Sequence, residues 1–260
     1  MFLIDCLGRR SLVRSMKLIS AGRQAFSKLS PAELVQLLAR YATGVSQLRT
    51  ILGVSGDSIR ELQREFISAK PFRIVYSPLS NDDHFKALAL YVVCRVLQPR
   101  VVVETGVASG ISTLGILYAL WRNESGRLFS IDLPGAVYDA GKRGLWKDVE
   151  RGDGPGWLVP KWLMARWELI VGASSDKLAG LVQRIAPVDV FYHDSEHTFE
   201  NVDFELRTVW PAILPGGFIL VDNSNWNEAF SKFVRDREWP SMTLFPFVGV
   251  TRRPVVRLNR

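Results

Sequence analysis

From residue 81 onward the chain alternates short apolar, β-branched runs with segments of helical period, and that alternation limits its fold more than any other feature. Helix 82–97 is followed by strand 101–104, helix 112–121 and strand 128–132. After an irregular stretch come strand 168–171, helix 176–185, strand 188–192, helix 200–210 and strand 218–222. Strands separated by helices cannot pair as hairpins, so the pattern predicts a parallel sheet with helices on its faces. Two further β-rich runs, 242–248 and 254–258, flank 249–253 and predict a closing antiparallel hairpin. The expected fold is α/β, a doubly wound, mostly parallel seven-stranded sheet over residues 81–260.

Residues 1–80 read differently. Ser30-Pro31-Ala32-Glu33 is a capping box with proline at the first helical position, and it predicts a helix start. A second helix is expected over 57–69, with Ile59, Leu62, Phe66 and Ile67 on one face. These residues form an expected N-terminal helical cap ahead of the 81–260 domain.

Composition removes several classes of protein. With 47% hydrophobic residues in 260, the chain can bury a large core. Its longest apolar stretches fall short of the roughly 18 residues that span a bilayer. The N-terminal apolar patch contains Asp5 and precedes its cations, which is unlike a secretory signal. The two cysteines, Cys6 and Cys94, have neither disulfide-framework nor zinc spacing, so a reducing cytoplasm is the expected compartment. The net charge of +7 resides at the ends: residues 1–28 hold six Lys and Arg against Asp5, and residues 232–260 hold seven against Asp236 and Glu238. No aromatic-interleaved basic motif accompanies them, so nucleic acid is not the expected partner.

In an open α/β sheet, ligands gather at the carboxyl ends of the strands, and here those ends are polar. The first strand ends in Glu104-Thr105-Gly106-Val107-Ala108-Ser109-Gly110-Ile111-Ser112. Gly106 and Gly110 permit a tight turn and close approach to a ligand. The spacing is not the G-x-G-x-x-G of a dinucleotide fold, which counts against NAD or FAD. Glu104 suits an ammonium group or the loop itself, and Ser112 at the next helix start suits a carboxylate. The second strand ends on Asp132, a residue type that accepts hydrogen bonds from both hydroxyls of a ribose. The fourth ends in His193-Asp194-Ser195-Glu196-His197 and the fifth in Asp222-Asn223. Asp194, Asp222 and Asn223 offer three oxygen ligands to one hard cation, magnesium by preference. His197, three residues past Asp194, is placed to take a proton from a substrate hydroxyl.

Taken together, Glu104-x-Gly106-x-x-x-Gly110-x-Ser112, Ser130-Ile131-Asp132, Val171-Gly172-Ala173-Ser174, Asp194 and Asp222-Asn223 resemble the class I, Rossmann-like methyltransferases. Within that class the likeness is to the metal-dependent catechol O-methyltransferase type and to bacterial small-molecule and sugar O-methyltransferases, over about residues 81–223. The terminal hairpin agrees, since nucleotide-binding dehydrogenases normally continue with parallel strands. The resemblance implies S-adenosylmethionine as cofactor, with Glu104, Gly106, Gly110 and Ser112 around its methionine part, Asp132 on the ribose and Ser174 beside the adenine. It implies Mg2+ on Asp194, Asp222 and Asn223, with Asp194 and His197 as catalytic residues. Catechol-type enzymes carry Lys where this chain has His197, which turns the expectation from catechol toward a natural product, sugar or phenol whose hydroxyl is methylated. A homo-oligomer is compatible with the sequence. An RNA methyltransferase and a non-catalytic cofactor-binding protein are the alternatives, although the Asn/Asp-Pro-Pro-aromatic signature of base-nitrogen methylation is missing. Residues 134–167, with six Gly and Trp146, Trp157, Trp162 and Trp167, read either as a lid or as a small packed subdomain.

Overall fold

The computed structural model describes residue 44 and residues 46–68, 81–133, 154–244 and 248–255. The capping box at Ser30 and residues 134–153 of the Trp-rich segment lie outside this range. The chain divides into two compact units, Met1–Val92 and Val93–Arg260. In the first, helix α1 (Gly56–Ser68) buries Ile59 and Phe66, and the Phe66 ring meets Tyr91 at 5.1 Å between centroids. Tyr91 belongs to helix α2 (Asn81–Leu97), which runs through the boundary between the units.

The second unit is built on β1 (Val101–Thr105), β2 (Arg127–Asp132), β3 (Trp167–Val171), β4 (Val188–His193) and β5 (Ile213–Val221), all parallel. With β6 (Ser241–Leu244) and β7 (Val248–Arg252) added, the strand order is β3-β2-β1-β4-β5-β7-β6. β1 and β4 are neighbours, so the order reverses between them and opens the crevice where such sheets bind ligands. The Val- and Ile-rich strands are apolar along most of their length because both faces are covered. On one face α4 (Ser174–Ile185) and α5 (Phe199–Val209) supply Leu178, Leu181, Leu206 and Val209 to a core that includes Val103, Phe191 and Ile219. Helix α3 (Ile111–Arg122) is buried from Ile111 to Leu120. Among the described residues no helix is long and apolar enough to cross a membrane.

The antiparallel end is present, with shifted strands. β6 is Ser241–Leu244 and β7 is Val248–Arg252, so the stretch expected to form the turn is itself the second strand. Gly249 is the cause of the shift. It is a packing glycine, since a Cβ there would meet the Phe230 ring at 2.5 Å and Ser224 at 2.7 Å. Phe230 lies on α6 (Ala229–Asp236), a helix absent from the sequence expectation although Phe230, Phe233 and Val234 share one buried face.

Phe191 is wholly buried at the centre of the sheet. Phe191→Ala should cost about 3–5 kcal/mol in urea unfolding, and a loss under about 1 kcal/mol would contradict this placement of the core.

Candidate active site at the carboxyl edge of the sheet

The loop after β1 is shaped by two acidic strand ends. Glu104 is fully buried and accepts hydrogen bonds from Ser112 Oγ (2.6 Å), Thr113 Oγ1 (2.8 Å) and Ser130 Oγ (2.7 Å). Burial pushes its carboxyl up from 4.5 to about 7, against the pull of those hydroxyls. Asp132 accepts from the amides of Val107 (2.9 Å), Ala108 (2.7 Å) and Leu133 (2.7 Å). Gly106 has φ +83°, and a Cβ on it would lie 2.0 Å from the carbonyl oxygen of Asp194. Only glycine allows the loop to rest on that backbone. Gly110, at φ +92°, starts α3 without a side-chain cap, a helix start suited to an anion. The Ser112 hydroxyl donates to Glu104, so a ligand carboxylate would depend chiefly on the helix amides. Beyond the loop, Gly156 N donates to Ala108 O (2.8 Å) and Leu158 N to Ser109 O (3.0 Å), fastening the described end of the Trp-rich segment to the loop. Ser174, at the start of α4, donates to Asn201 Oδ1 at 3.2 Å.

At the ends of β4 and β5, Asp194, His197 and Asp222 each bring one donor atom to within 4.8 Å of the other two. Tyr192 donates from its hydroxyl to Asp194 Oδ2 (2.9 Å), and His197 Nε2 lies 3.7 Å from Asp194 Oδ1. Asn223 holds φ 48° and turns its amide nitrogen to within 3.2 Å of His197 Nε2, which marks that nitrogen as the acceptor. The His197 ring packs edge-on between the buried His193 (5.3 Å) and Trp226 (5.2 Å), which is 65% exposed. The structure thus groups His197 with the two carboxylates and sets Asn223 beside them.

One participant had no place in the sequence expectation. Glu205, fully buried on α5, takes hydrogen bonds from Thr105 Oγ1 (2.6 Å) and Ser195 Oγ (2.7 Å) and pairs with His193 Nδ1 at 2.7 Å. Burial pushes its carboxyl up, and the hydrogen bond and electrostatic attraction of His193, with hydrogen bonds from Ser174 and Thr105, together more than reverse this and hold it below the ordinary carboxylate value. Its signal was a glutamate in the apolar row Val202, Leu206 and Val209.

The stretch that builds this edge, residues 103–224, matches a family described as a methyltransferase domain. The matched span runs from β1 to just past Asp222-Asn223 and so takes in both acidic loops and the His197 cluster. The sheet is parallel through β5 and closed by an antiparallel pair, the order expected from the sequence. No curated relative matches the chain. Solved structures that resemble it include a methyltransferase from Geobacter sulfurreducens, 18% identical over 65% of this chain and 78% of that one, with a TM-score of 0.47. An S-adenosylhomocysteine-bound methyltransferase from Podospora anserina is 16% identical over 76% and 88%, with a TM-score of 0.46. An O-methyltransferase from Bacillus cereus in complex with S-adenosylhomocysteine is 14% identical over 80% and 96%, with a TM-score of 0.43.

The raised carboxyl of Glu104 has a measurable consequence for stability. The folded protein keeps a proton there that the unfolded chain releases, so this contribution to stability is full below about pH 4.5 and fades as pH rises through about 7. Unfolding of the wild type and Glu104→Gln between pH 4 and 8 should show the wild type losing stability relative to the variant over that window. Parallel curves would contradict the buried, hydroxyl-held carboxyl.

Proposed function

We propose that the chain is an S-adenosylmethionine-dependent methyltransferase that methylates a hydroxyl of a small-molecule acceptor. The observation that carries this reading is the seating of Gly106 on the Asp194 backbone, which joins the loop suited to the donor to the cluster suited to the acceptor. In this reading Asp132 receives the ribose, the start of α3 receives the methionine carboxylate, and the sulfonium methyl faces Asp194 and His197.

Transfer is an in-line displacement that needs the acceptor oxygen about 3 Å from the methyl carbon. The oxygen forms its bond to carbon as the carbon–sulfur bond breaks, and S-adenosylhomocysteine leaves. His197 Nε2, the acceptor nitrogen of its ring, takes the hydroxyl proton. The Nε2 lone pair passes from the Asn223 amide to the incoming O–H as it does so, while Tyr192 holds Asp194 in place. The exposed face of Trp226 beside His197 gives the acceptor an apolar surface. The donor set fits a divalent cation: Asp194 and Asp222, with Asn223 adjacent, would hold Mg2+, whose charge would ease ionisation of the acceptor hydroxyl.

Calorimetric titration with S-adenosylhomocysteine, with magnesium and with EDTA, tests the donor site. Micromolar binding is expected, weakened at least about tenfold in Asp132→Ala, a loss of about 1.4 kcal/mol. No binding by the wild type under either condition would overturn the proposal.

A further inference from the structure

Helix α5 buries Val202, Leu206 and Val209, and on the same side it buries Glu205. A carboxylate in an apolar row is strongly unfavourable unless donors converge on it. The donors that do so come from separate parts of the sheet edge. Thr105 Oγ1 is the end of β1, one residue before the glycine seated on Asp194. His193 is the end of β4, and Ser195 lies in the loop that carries Asp194 and His197. Asn201 shares its amide nitrogen among Glu205 Oε1 (3.2 Å), Ser195 Oγ (3.0 Å) and the carbonyl of Glu196 (2.9 Å), closing the loop onto the first turn of α5. The His193 ring, held through Nδ1, is one of the two rings that meet His197 edge-on. Among the described residues its Nε2 has no hydrogen-bond partner, so the bond to Glu205 is the hydrogen bond that orients the ring.

We propose that Glu205 is the positioning residue of the active site: through His193 and Ser195 it sets where His197 and Asp194 stand relative to the donor loop. This rests on the reading of Asp194 and His197 as reacting groups. Glu205 touches neither donor nor acceptor and acts only through these neighbours. Glutamine keeps the shape but replaces one acceptor oxygen by an N–H donor, so on that side the hydroxyl must turn, or His193 change tautomer, to accept instead of donate.

The chain has three histidines, His84, His193 and His197, so NMR of full-length protein with ring-labelled histidine resolves each imidazole. Wild type should show ring-to-ring cross-peaks for His193 with His197 and for His197 with Trp226. In Glu205→Gln the His193–His197 cross-peak should be lost and the His197 ring nitrogens should shift. Val209→Ala, an apolar truncation on the same helix, should leave both in place, which separates positioning from simple loosening of α5. If Glu205→Gln does not fold, Ser195→Ala removes one donor to the carboxylate and should shift the His197 nitrogens likewise. Unchanged His197 signals in the folded variant, or equal changes in Val209→Ala, would overturn the proposal. Titration of the same samples with S-adenosylhomocysteine reads the donor site separately. A wild type that fails to bind it sinks the methyltransferase mechanism, while the histidine signals still decide whether Glu205 positions His197.

Discussion

The carboxyl edge of this sheet depends on keeping acidic groups inside the protein. Glu104 and Glu205 are wholly buried and Asp132 nearly so, and a buried acid is tolerable only where donors surround it. Glu104 gathers the hydroxyls of α3 and β2, Asp132 gathers the amides of the loop after β1, and Glu205 gathers β1, β4 and the loop after β4. Each acid fixes the loop that supplies its donors. The rigidity of the edge follows from the cost of leaving any of them unsatisfied.

That rigidity is what methyl transfer asks of a protein. The reaction moves no electrons to or from the chain, so its demands are alignment over a short distance and removal of one proton. The backbone of Gly106 against Asp194 sets the distance between the two loops, and edge-on contacts with His193 and Trp226 orient the His197 ring. Glu104 and Asp132 are turned inward on their own loop as much as outward to a ligand, which explains why the loop keeps its shape without a dinucleotide-type glycine pattern.

Much of this was legible in the sequence because strand and helix periods differ and because apolar strands ending on Glu, Asp and His are conspicuous. The five parallel strands fell within a few residues of expectation, β5 starting earliest relative to it at Ile213. Legibility failed where one residue type serves two purposes. Gly249 looks like a turn and is a strand position pressed by Phe230, so the hairpin was expected several residues late. The α6 helix is only eight residues, too short for its period to stand out. Glu205 shows in the sequence only as a glutamate in the apolar row of α5, and its partner His193 is recognisable as such only once β4 and α5 are packed together.

On the proposed function, one edge of the sheet receives the methyl donor with its sulfur facing Asp194 and His197. A crystal structure of the complex with S-adenosylhomocysteine tests this directly. The ribose should lie on Asp132, with the homocysteine carboxylate at the start of α3 and the sulfur turned toward the Asp194, His197 and Asp222 cluster. A ligand bound elsewhere, or seated there with its sulfur directed away from His197, would contradict it.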